Sequence, residues 1–548
     1  MKSVFSFLSK MRTLNAVAFS IICAVVIVLF YNNGFWGVFF KNVDMSTLKS
    51  EAFLADTFFV LVLWISLLFY LIAIKYIFKP LAITLFLIAA IVSYFTGAYG
   101  VIIDKSMIRN SMETNFSEAS ELISPSLLIH LFFYGLAPSV IIAFTQPRYE
   151  AVGREALKRG AAVLIALLMI TVSFFLFNKE FTFLFRQHPE LRSLMNPTSP
   201  VYTFAKYMKK DSGNAQIQPV GLDARQTHAG SVRVKRTLLV IVVGETARAE
   251  NFALNGYGRD TNPQLGKADI IDFSNTYSCG TDTAYSVPCM FSHLSRKDYT
   301  PSKAAQYETL LDVLTHAGVD VLWLDNNSGC KGVCNGVKNE SVAHVKHPKL
   351  CNTEECYDDI LLYKLKDRIG KASSDLVVIL HQKGSHGPAY YKRIPDEYRK
   401  FTPECRSVNL QDCTTSEIVN SYDNTILYTD HFLYSVIGFL KGNATRFDTA
   451  MIYMSDHGES LGENGLYLHG FPYALAPDTQ IHIPFISWIS KEYADDFGID
   501  KNCLMKDRER RYSHENLFHS VLGLLEVNSE TYNPELDVFS VCKKDITR

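Results

Sequence analysis

The sequence predicts two parts of different class. Residues 1–180 read as an α-helical membrane anchor of five transmembrane helices, and residues 233–548 as a soluble three-layer α/β domain, joined by a membrane-proximal linker at 181–232. Three observations predict this. Five apolar stretches long enough to cross a bilayer lie in the first third of the chain. Short β-branched runs then alternate with helical stretches. Charge and cysteine are also divided unequally between the two parts.

Of the 548 residues, 48% are hydrophobic, 20% are charged and the net charge is -1. The apolar content excludes a disordered chain, and the near-zero charge excludes a nucleic-acid binder working by bulk electrostatics. Residues 1–180 hold 14 Lys/Arg against 10 Asp/Glu, whereas the remainder holds 40 against 45. A single soluble globule does not account for that division.

The spans fall at roughly 13–31, 54–74, 81–103, 126–145 and 161–178. The N-terminus (Lys2, Lys10, Arg12), loop 75–80 (Lys75, Lys79) and loop 146–160 (Arg148, Arg154, Lys158, Arg159) carry nine cations; loops 32–53 and 104–125 carry four, Lys41, Lys49, Lys105 and Arg109. The positive-inside rule therefore places the N-terminus in the cytoplasm, and five crossings leave everything after residue 180 outside. A cleaved signal peptide is the other reading of the first span, but no convincing small-residue cleavage site follows it and four more spans do. The spans hold little charge beyond Asp56, placed near an end where it can reach the interface, which argues against an ion or proton transporter.

Ten of the eleven cysteines lie in the outer part. Near neighbours suggest the pairs Cys279–Cys289, Cys330–Cys334, Cys351–Cys356 and Cys405–Cys413, leaving Cys503 and Cys542 for each other. Such a tally fits an oxidising compartment. A thiolate zinc site is the alternative, but the spacings lack CxxC regularity. Cys23 reads as a small buried apolar residue. The linker contains Pro189, Pro197, Pro200 and Pro219; its aromatic start suits the membrane surface, and a polar stretch follows at 209–232.

In the outer domain, Thr237–Val243, Val321–Leu324, Leu376–Leu380 and Ala450–Met454 read as buried parallel strands, with helices at 303–317, 357–370 and 415–441. Three strands end in candidate ligands: Glu245, His381, and the run Ser455-Asp456-His457-Gly458-Glu459. Sites of open parallel sheets collect at the carboxyl ends of strands, so Glu245, Asp456 and His457 are expected to meet. Two carboxylates and an imidazole suit Zn2+ or Mn2+. Singly, Glu245 could be a helix cap and Asp456-His457 a surface turn. The loop Ser278–Cys289 enters a predicted helix, whose N-terminus favours phosphate. Its hydroxyls Thr281, Thr283 and Ser286 compete as a metal-activated nucleophile, or serve only as caps.

The strings VVGETARAENFALNGYGRDTNPQL, SCGTDTAYSVPCMFS, DNNSGCKG, HQKGSHGPAY, SYDN and SDHGESLGENGLYLHG resemble those of the lipid A phosphoethanolamine transferases, the chromosomal EptA type and the plasmid-borne colistin-resistance enzymes. That family belongs to the alkaline phosphatase/sulfatase superfamily, and the five-span anchor is similar too. The resemblance implies that Glu245, Thr283, Asp456 and His457 hold one zinc, with Thr283 the nucleophile, and that His386 and His469 lie near the phosphate or a second metal. It implies that Asn327, Ser328, Lys331, His386 and His469 contact donor substrate; His381 matches without a clear role. Asn110, Thr114 and Glu118, spaced four apart, share one face if helical, either as a solvated surface or, as the resemblance implies, beside the donor headgroup.

The implied reaction transfers phosphoethanolamine from phosphatidylethanolamine to a lipid A phosphate through a phosphothreonine, with His386 and Lys331 stabilising charge and His469 protonating a leaving oxygen. The implied setting is the Gram-negative inner membrane, with a periplasmic catalytic domain, the bilayer as partner, a monomeric state and polymyxin resistance. The rivals are a transferase acting on another envelope glycan (phosphoethanolamine or glycerol phosphate), a membrane-tethered phosphodiesterase, and a catalytically dead binding module.

Overall fold

Apolar helices form where the sequence places spans, but with different ends. The computed structural model describes residues 14–114, 116–210, 217–227, 235–343, 345–352, 355–371 and 374–544. The cations Lys2, Lys10 and Arg12, and residues 211–216 and 228–232 of the polar stretch, lie outside the described residues. The chain divides into two units, Met1–Ile108 with Ile123–Lys210, and Arg109–Leu122 with Asp211–Arg548.

In the first unit, Leu48–Ile72, Phe78–Tyr99, Pro125–Phe144 and Val152–Leu176 are long and apolar enough to cross a membrane, and Ala16–Phe30 with Asn33–Asn42 forms a pair bent by 60°. If that pair is one span, the total is five. The second span starts six residues before the expected 54 and the fifth nine before 161, because a helix continues through polar turns that an apolar window leaves out. Part of loop 32–53 is likewise helical. At the bend the freed carbonyls need donors in a setting without water. Asn32 Nδ2 donates to Ile27 O and Trp36 Nε1 to Val28 O, while Asn196 Nδ2 donates to Tyr31 O and Ala89 O. Asn196 N also donates to Asn32 Oδ1. Asp56 accepts from Ser173 Oγ at 2.8 Å, so its partner is a neighbouring helix. Helices Asn178–Gln187 and Thr198–Lys210 belong to this unit too, so the start of the expected linker is ordered structure.

In the second unit seven strands form one sheet: β1 (Arg236–Gly244), β2 (Ile271–Asp272), β3 (Asp320–Asp325), β4 (Lys338–Ser341), β5 (Leu376–His381), β6 (Phe447–Ser455) and β7 (Phe485–Ile489). Their order is β2-β7-β6-β1-β5-β3-β4. The run β6-β1-β5-β3-β4 is parallel, and β7 is antiparallel to both its neighbours. Side chains alternate across a strand. Leu239, Ile241 and Val243 pack with Leu310, Leu314 and Phe518 on one face. Leu238, Val240 and Val242 on the other face are equally buried, and helix Thr415–Gly442 packs against β6. A sheet buried on both sides is the middle of three layers.

Disulfides join Cys279–Cys289, Cys330–Cys334, Cys351–Cys356, Cys405–Cys413 and Cys503–Cys542, and Cys23 is free and buried. Two expectations are corrected. Residues 109–122, expected within a loop of the anchor, belong to the α/β unit. Asn110, Thr114 and Glu118 do not share one helix: the chain forms Lys105–Glu113 and Phe116–Glu121 with Thr114 between them. Thr114 Oγ1 donates back to Asn110 O at 2.6 Å beside its own backbone N–H, a back-bonding that weakens and bends helices.

Candidate active site

Strand register assembles the site. Gly244 pairs with Ser455, Val243 with His381, and His381 with Asp325. The next residues therefore emerge side by side at the carboxyl edge of β6, β1, β5 and β3. Glu245, Asp456 and His457 form a buried group whose ligand atoms all lie within 4.8 Å of one another, the one such group among the described residues.

The arrangement is incomplete without a cation. Asp456 Oδ1 accepts from the backbone N–H of Thr246 (3.1 Å) and of His457 (2.8 Å), whereas its buried Oδ2 has no hydrogen-bond partner. His457 Nδ1 donates to Gly458 O at 2.9 Å, so Nε2 faces Glu245 Oε1 at 3.5 Å and Asp456 Oδ2 at 3.4 Å. Two carboxylates and an imidazole nitrogen converging in a dry pocket repel one another unless positive charge joins them. Burial, and then the adjacent Glu245, raise the Asp456 carboxyl to about 6. Burial also opposes charge on Glu245, but the His457 and His386 imidazoles hold it below the usual carboxylate range. The residues present fit a divalent metal with two carboxylate and one imidazole ligands.

Thr283 opens helix Thr283–Met290, capped by Asp282, whose side chain accepts from Tyr285 N. Its Oγ1 lies 3.2 Å from both Glu245 oxygens and 3.3 Å from His457 Nε2. The competing hydroxyls are placed differently. Thr281 Oγ1 donates to Phe471 O at 2.7 Å, and Ser286 is fully buried. Thr283, 6% exposed beside Glu245 at 1% and Asp456 and His457 at 0%, is the outermost of the four.

A hydrogen-bonded chain stands behind Glu245. Asn327 Nδ2 donates to Glu245 Oε2 (2.5 Å) and Gln382 O (2.9 Å). The same amide lies 3.4 Å from His381 Nε2, and His381 Nδ1 is 2.8 Å from Asp325 Oδ2. Burial opposes charge on both members of the last pair, yet each favours it in the other, raising His381 and lowering Asp325. The structure thus gives His381 a place supporting Asn327, and gives Asn327 contacts with the metal group.

His469 is held differently. Its Nδ1 lies 3.0 Å from Glu459 Oε2, and Glu459 Oε1 accepts from Tyr390 OH at 2.6 Å. Burial opposes a charged His469, but Glu459 prevails and raises it to about 9. His386, its ring centroid 5.6 Å from that of His469, is pushed well down by burial. Lys331 Nζ donates to Ser328 O (3.3 Å) and Glu113 O (3.4 Å), and Lys383 Nζ stands 3.6 Å from Glu118 Oε1. Segment 109–122 therefore borders the site through Glu113 and Glu118.

Backbone strain gathers here. Thr246 (φ 59°), Lys331 (φ 51°) and Leu468 (φ 63°) are left-handed and not glycine, a conformation retained where surroundings impose it. Each is, or adjoins, a residue of the site. Tyr422 OH fixes the first by donating to Thr246 O and accepting from Arg248 N. Gly384 (φ 54°) approaches so closely that a Cβ would meet Glu245 O at 2.6 Å.

Sequence reasoning missed Asp325, Lys383, Tyr390 and Arg393 and gave Glu459 no role. Asp325 ends a strand as Glu245 does, so the strand-end rule could have found it. Nothing local marks Arg393, which reaches Glu121 and Glu355 through space.

A sulfatase family model matches residues 237–527, and the phosphoethanolamine transferase EptA/EptB model matches residues 61–212. The chain is 38% identical over 541 residues to phosphoethanolamine transferase EptA of Escherichia coli K12, covering 98% of this chain and 99% of the relative. It is 40% identical over 430 residues to phosphatidylethanolamine transferase Mcr-1 of Escherichia coli, covering 76% and 79%. The solved lipooligosaccharide phosphoethanolamine transferase A of Neisseria meningitidis, an integral membrane protein, matches with TM-score 0.94 and 36% identity, covering 97% of this chain and 100% of that one.

Proposed function

The chain belongs to the phosphoethanolamine transferase EptA/EptB family, and from that premise we propose that it transfers phosphoethanolamine from phosphatidylethanolamine to a lipid A phosphate by a ping-pong route through Thr283. The observation that carries the reading is the placement of Thr283 Oγ1 against both Glu245 oxygens and His457 Nε2.

Glu245, Asp456, His457 and Thr283 would hold one zinc ion. When bound, it supplies Lewis acidity that lowers the threonine pKa and draws off charge from a phosphoryl oxygen. In the first half-reaction Thr283 releases its hydroxyl proton to solvent, and its Oγ bonds to the donor phosphorus as the phosphorus–oxygen bond to diacylglycerol breaks. His469, kept protonated by Glu459, delivers the proton to the departing oxygen. In the second half an acceptor phosphate oxygen bonds to the same phosphorus, the bond to Thr283 breaks, and protons from solvent restore the Thr283 hydroxyl and the charged His469. Lys331 offsets negative charge. His386, kept neutral by burial, orients the phosphoryl group by hydrogen bonding. Asn110, Thr114 and Glu118, with Ser328, bind the donor headgroup. Phosphoryl transfer depends chiefly on such positioning and charge stabilisation.

The setting is the inner membrane of a Gram-negative cell, N-terminus cytoplasmic and α/β domain periplasmic, with both lipid substrates reached from the bilayer. An added amine lowers the attraction of the surface for cationic peptides, and polymyxin resistance follows.

The test is peptide mass spectrometry after exposure to phosphatidylethanolamine, together with the mass of lipid A from expressing cells. Phosphoethanolamine on Thr283 and on lipid A is expected. An adduct on Thr281 or Ser286 with Thr283 bare overturns the nucleophile, and free phosphoethanolamine with unchanged lipid A makes the protein a hydrolase.

A further inference from the structure

Behind the nucleophile loop lies a cavity of about 320 Å3 whose walls include Ser278 and Cys279, Tyr473, and the arginines Arg296, Arg510 and Arg511. Of its walls, Ser278, Cys279 and Tyr473 belong to the loops that carry Thr283 and His469. Tyr473 OH donates to Ser278 O at 2.9 Å, and Gly470 N donates to Thr281 O at 2.7 Å, so the loops bearing Thr283 and His469 are tied along its border.

The arginines are poised for an anion. The Arg296 guanidinium lies 4.3 Å from the Tyr473 ring centroid and that of Arg511 lies 4.1 Å from the Tyr277 centroid. Stacking holds a planar guanidinium while leaving its N–H edge available for bidentate bonding to phosphate. Arg296 Nε is buried with no hydrogen-bond partner. Among the described residues none of the three arginines makes an ion pair with a carboxylate. Four acids also line the cavity, and three of them accept hydrogen bonds from neighbouring residues rather than from the arginine side chains. Asp507 accepts from Tyr512 OH, Glu515 from the backbone of Arg296, and Asp537 from Tyr532 OH and Phe539 N. Burial raises Asp537 to about 6, so it is neutral only below that pH. Glu535 is exposed, as are Arg510 and Arg511.

We propose that this cavity binds a phosphate-bearing sugar of the acceptor, gripping an anionic group other than the one that reacts. The inference rests on the transferase reading and adds an acceptor subsite to it. Binding energy from a remote part of a substrate can hold the reacting part in place, and a glycolipid with a second phosphate offers such a handle.

The ping-pong order separates this proposal from the reading beneath it. Full-length protein in detergent, wild type and the variant Arg510→Gln/Arg511→Gln, is given fluorescent phosphatidylethanolamine, and the phosphoenzyme is measured first. Bisphosphorylated or monophosphorylated lipid A is then supplied, with inorganic phosphate as a competing probe. The expected result is equal phosphoenzyme formation, a KM for bisphosphorylated acceptor raised about tenfold or more, and little difference with the monophosphorylated one. Inorganic phosphate should compete with acceptor in wild type and less in the variant; competition there with unchanged acceptor KM would make this a free-phosphate site and overturn the acceptor assignment. An unchanged KM without that competition, or a donor step that falls in parallel, also overturns the proposal. Arg296→Gln, made separately, should show the same split. Absence of phosphoenzyme in wild type refutes the transferase reading itself.

Discussion

Replacing Arg393 by methionine should cost the α/β unit about 3–5 kcal/mol, the range for removing one partner of a buried ion pair. The side chain is fully buried and its guanidinium serves three segments at once. It pairs with Glu121 of helix Phe116–Glu121, with Glu355 in the loop closed by Cys351–Cys356, and through Nε with His386 O at 2.9 Å. Methionine fills similar volume but leaves two carboxylates, 9% and 12% exposed, without their cation. The triple variant Arg393→Met/Glu121→Gln/Glu355→Gln removes those charges together and should recover about 2 kcal/mol or more, a non-additivity expected of one network. Urea unfolding of the full chain with Trp36 and Trp64 replaced by phenylalanine, followed by the fluorescence of Trp323 and Trp488, gives both numbers. A single-variant loss below about 1 kcal/mol, or a triple variant as unstable as the single one, would refute the argument that charge pairing rather than packing sets the cost.

Three further outcomes are expected. Chelation should lower the thermal midpoint of the α/β unit and added zinc restore it, by about 2.7 kcal/mol at a hundredfold excess over Kd; because Asp456 binds a proton at about 6, metal affinity should weaken as pH falls below that value. A midpoint indifferent to chelator would count against the metal centre. Glu459→Gln removes the charge that outweighs burial at His469 and raises it to about 9, so the rate should fall more than tenfold near pH 8 and recover partly toward pH 6; an unaltered pH profile would exclude His469 as proton donor. His514 is buried and neutral, accepting from Cys279 N at 3.2 Å through Nδ1 and donating to Ser455 O at 2.9 Å through Nε2. Burial lowers it to about 3, so its stabilisation is complete above about pH 6.5 and is lost as pH falls toward 3. His514→Gln should flatten the pH dependence of unfolding across that window by about one proton, and equal slopes would contradict this.

Much of the site was legible because its signals are local. Glu245 and Asp456-His457 follow uninterrupted apolar strands, and a strand's end is written in its own residues. Other parts were not. The four-residue spacing of Asn110, Thr114 and Glu118 suggested one helix, but the chain forms two, Lys105–Glu113 and Phe116–Glu121. Arg393 and Lys383 sit among ordinary polar residues, and their partners Glu121, Glu355 and Glu118 reach them only through the fold.

The sequence by itself therefore determined the presence of a membrane anchor and an α/β domain, the four central parallel strands of the sheet and the chemistry of the candidate metal group. Apolar length, side-chain period and residue type are properties of short segments. The tertiary structure decided which hydroxyl faces the ligands, where helices end, and how residues two hundred positions apart meet. Those outcomes follow from strand register, from Gly244 paired with Ser455, and from the need of buried charges for partners, which no local window contains.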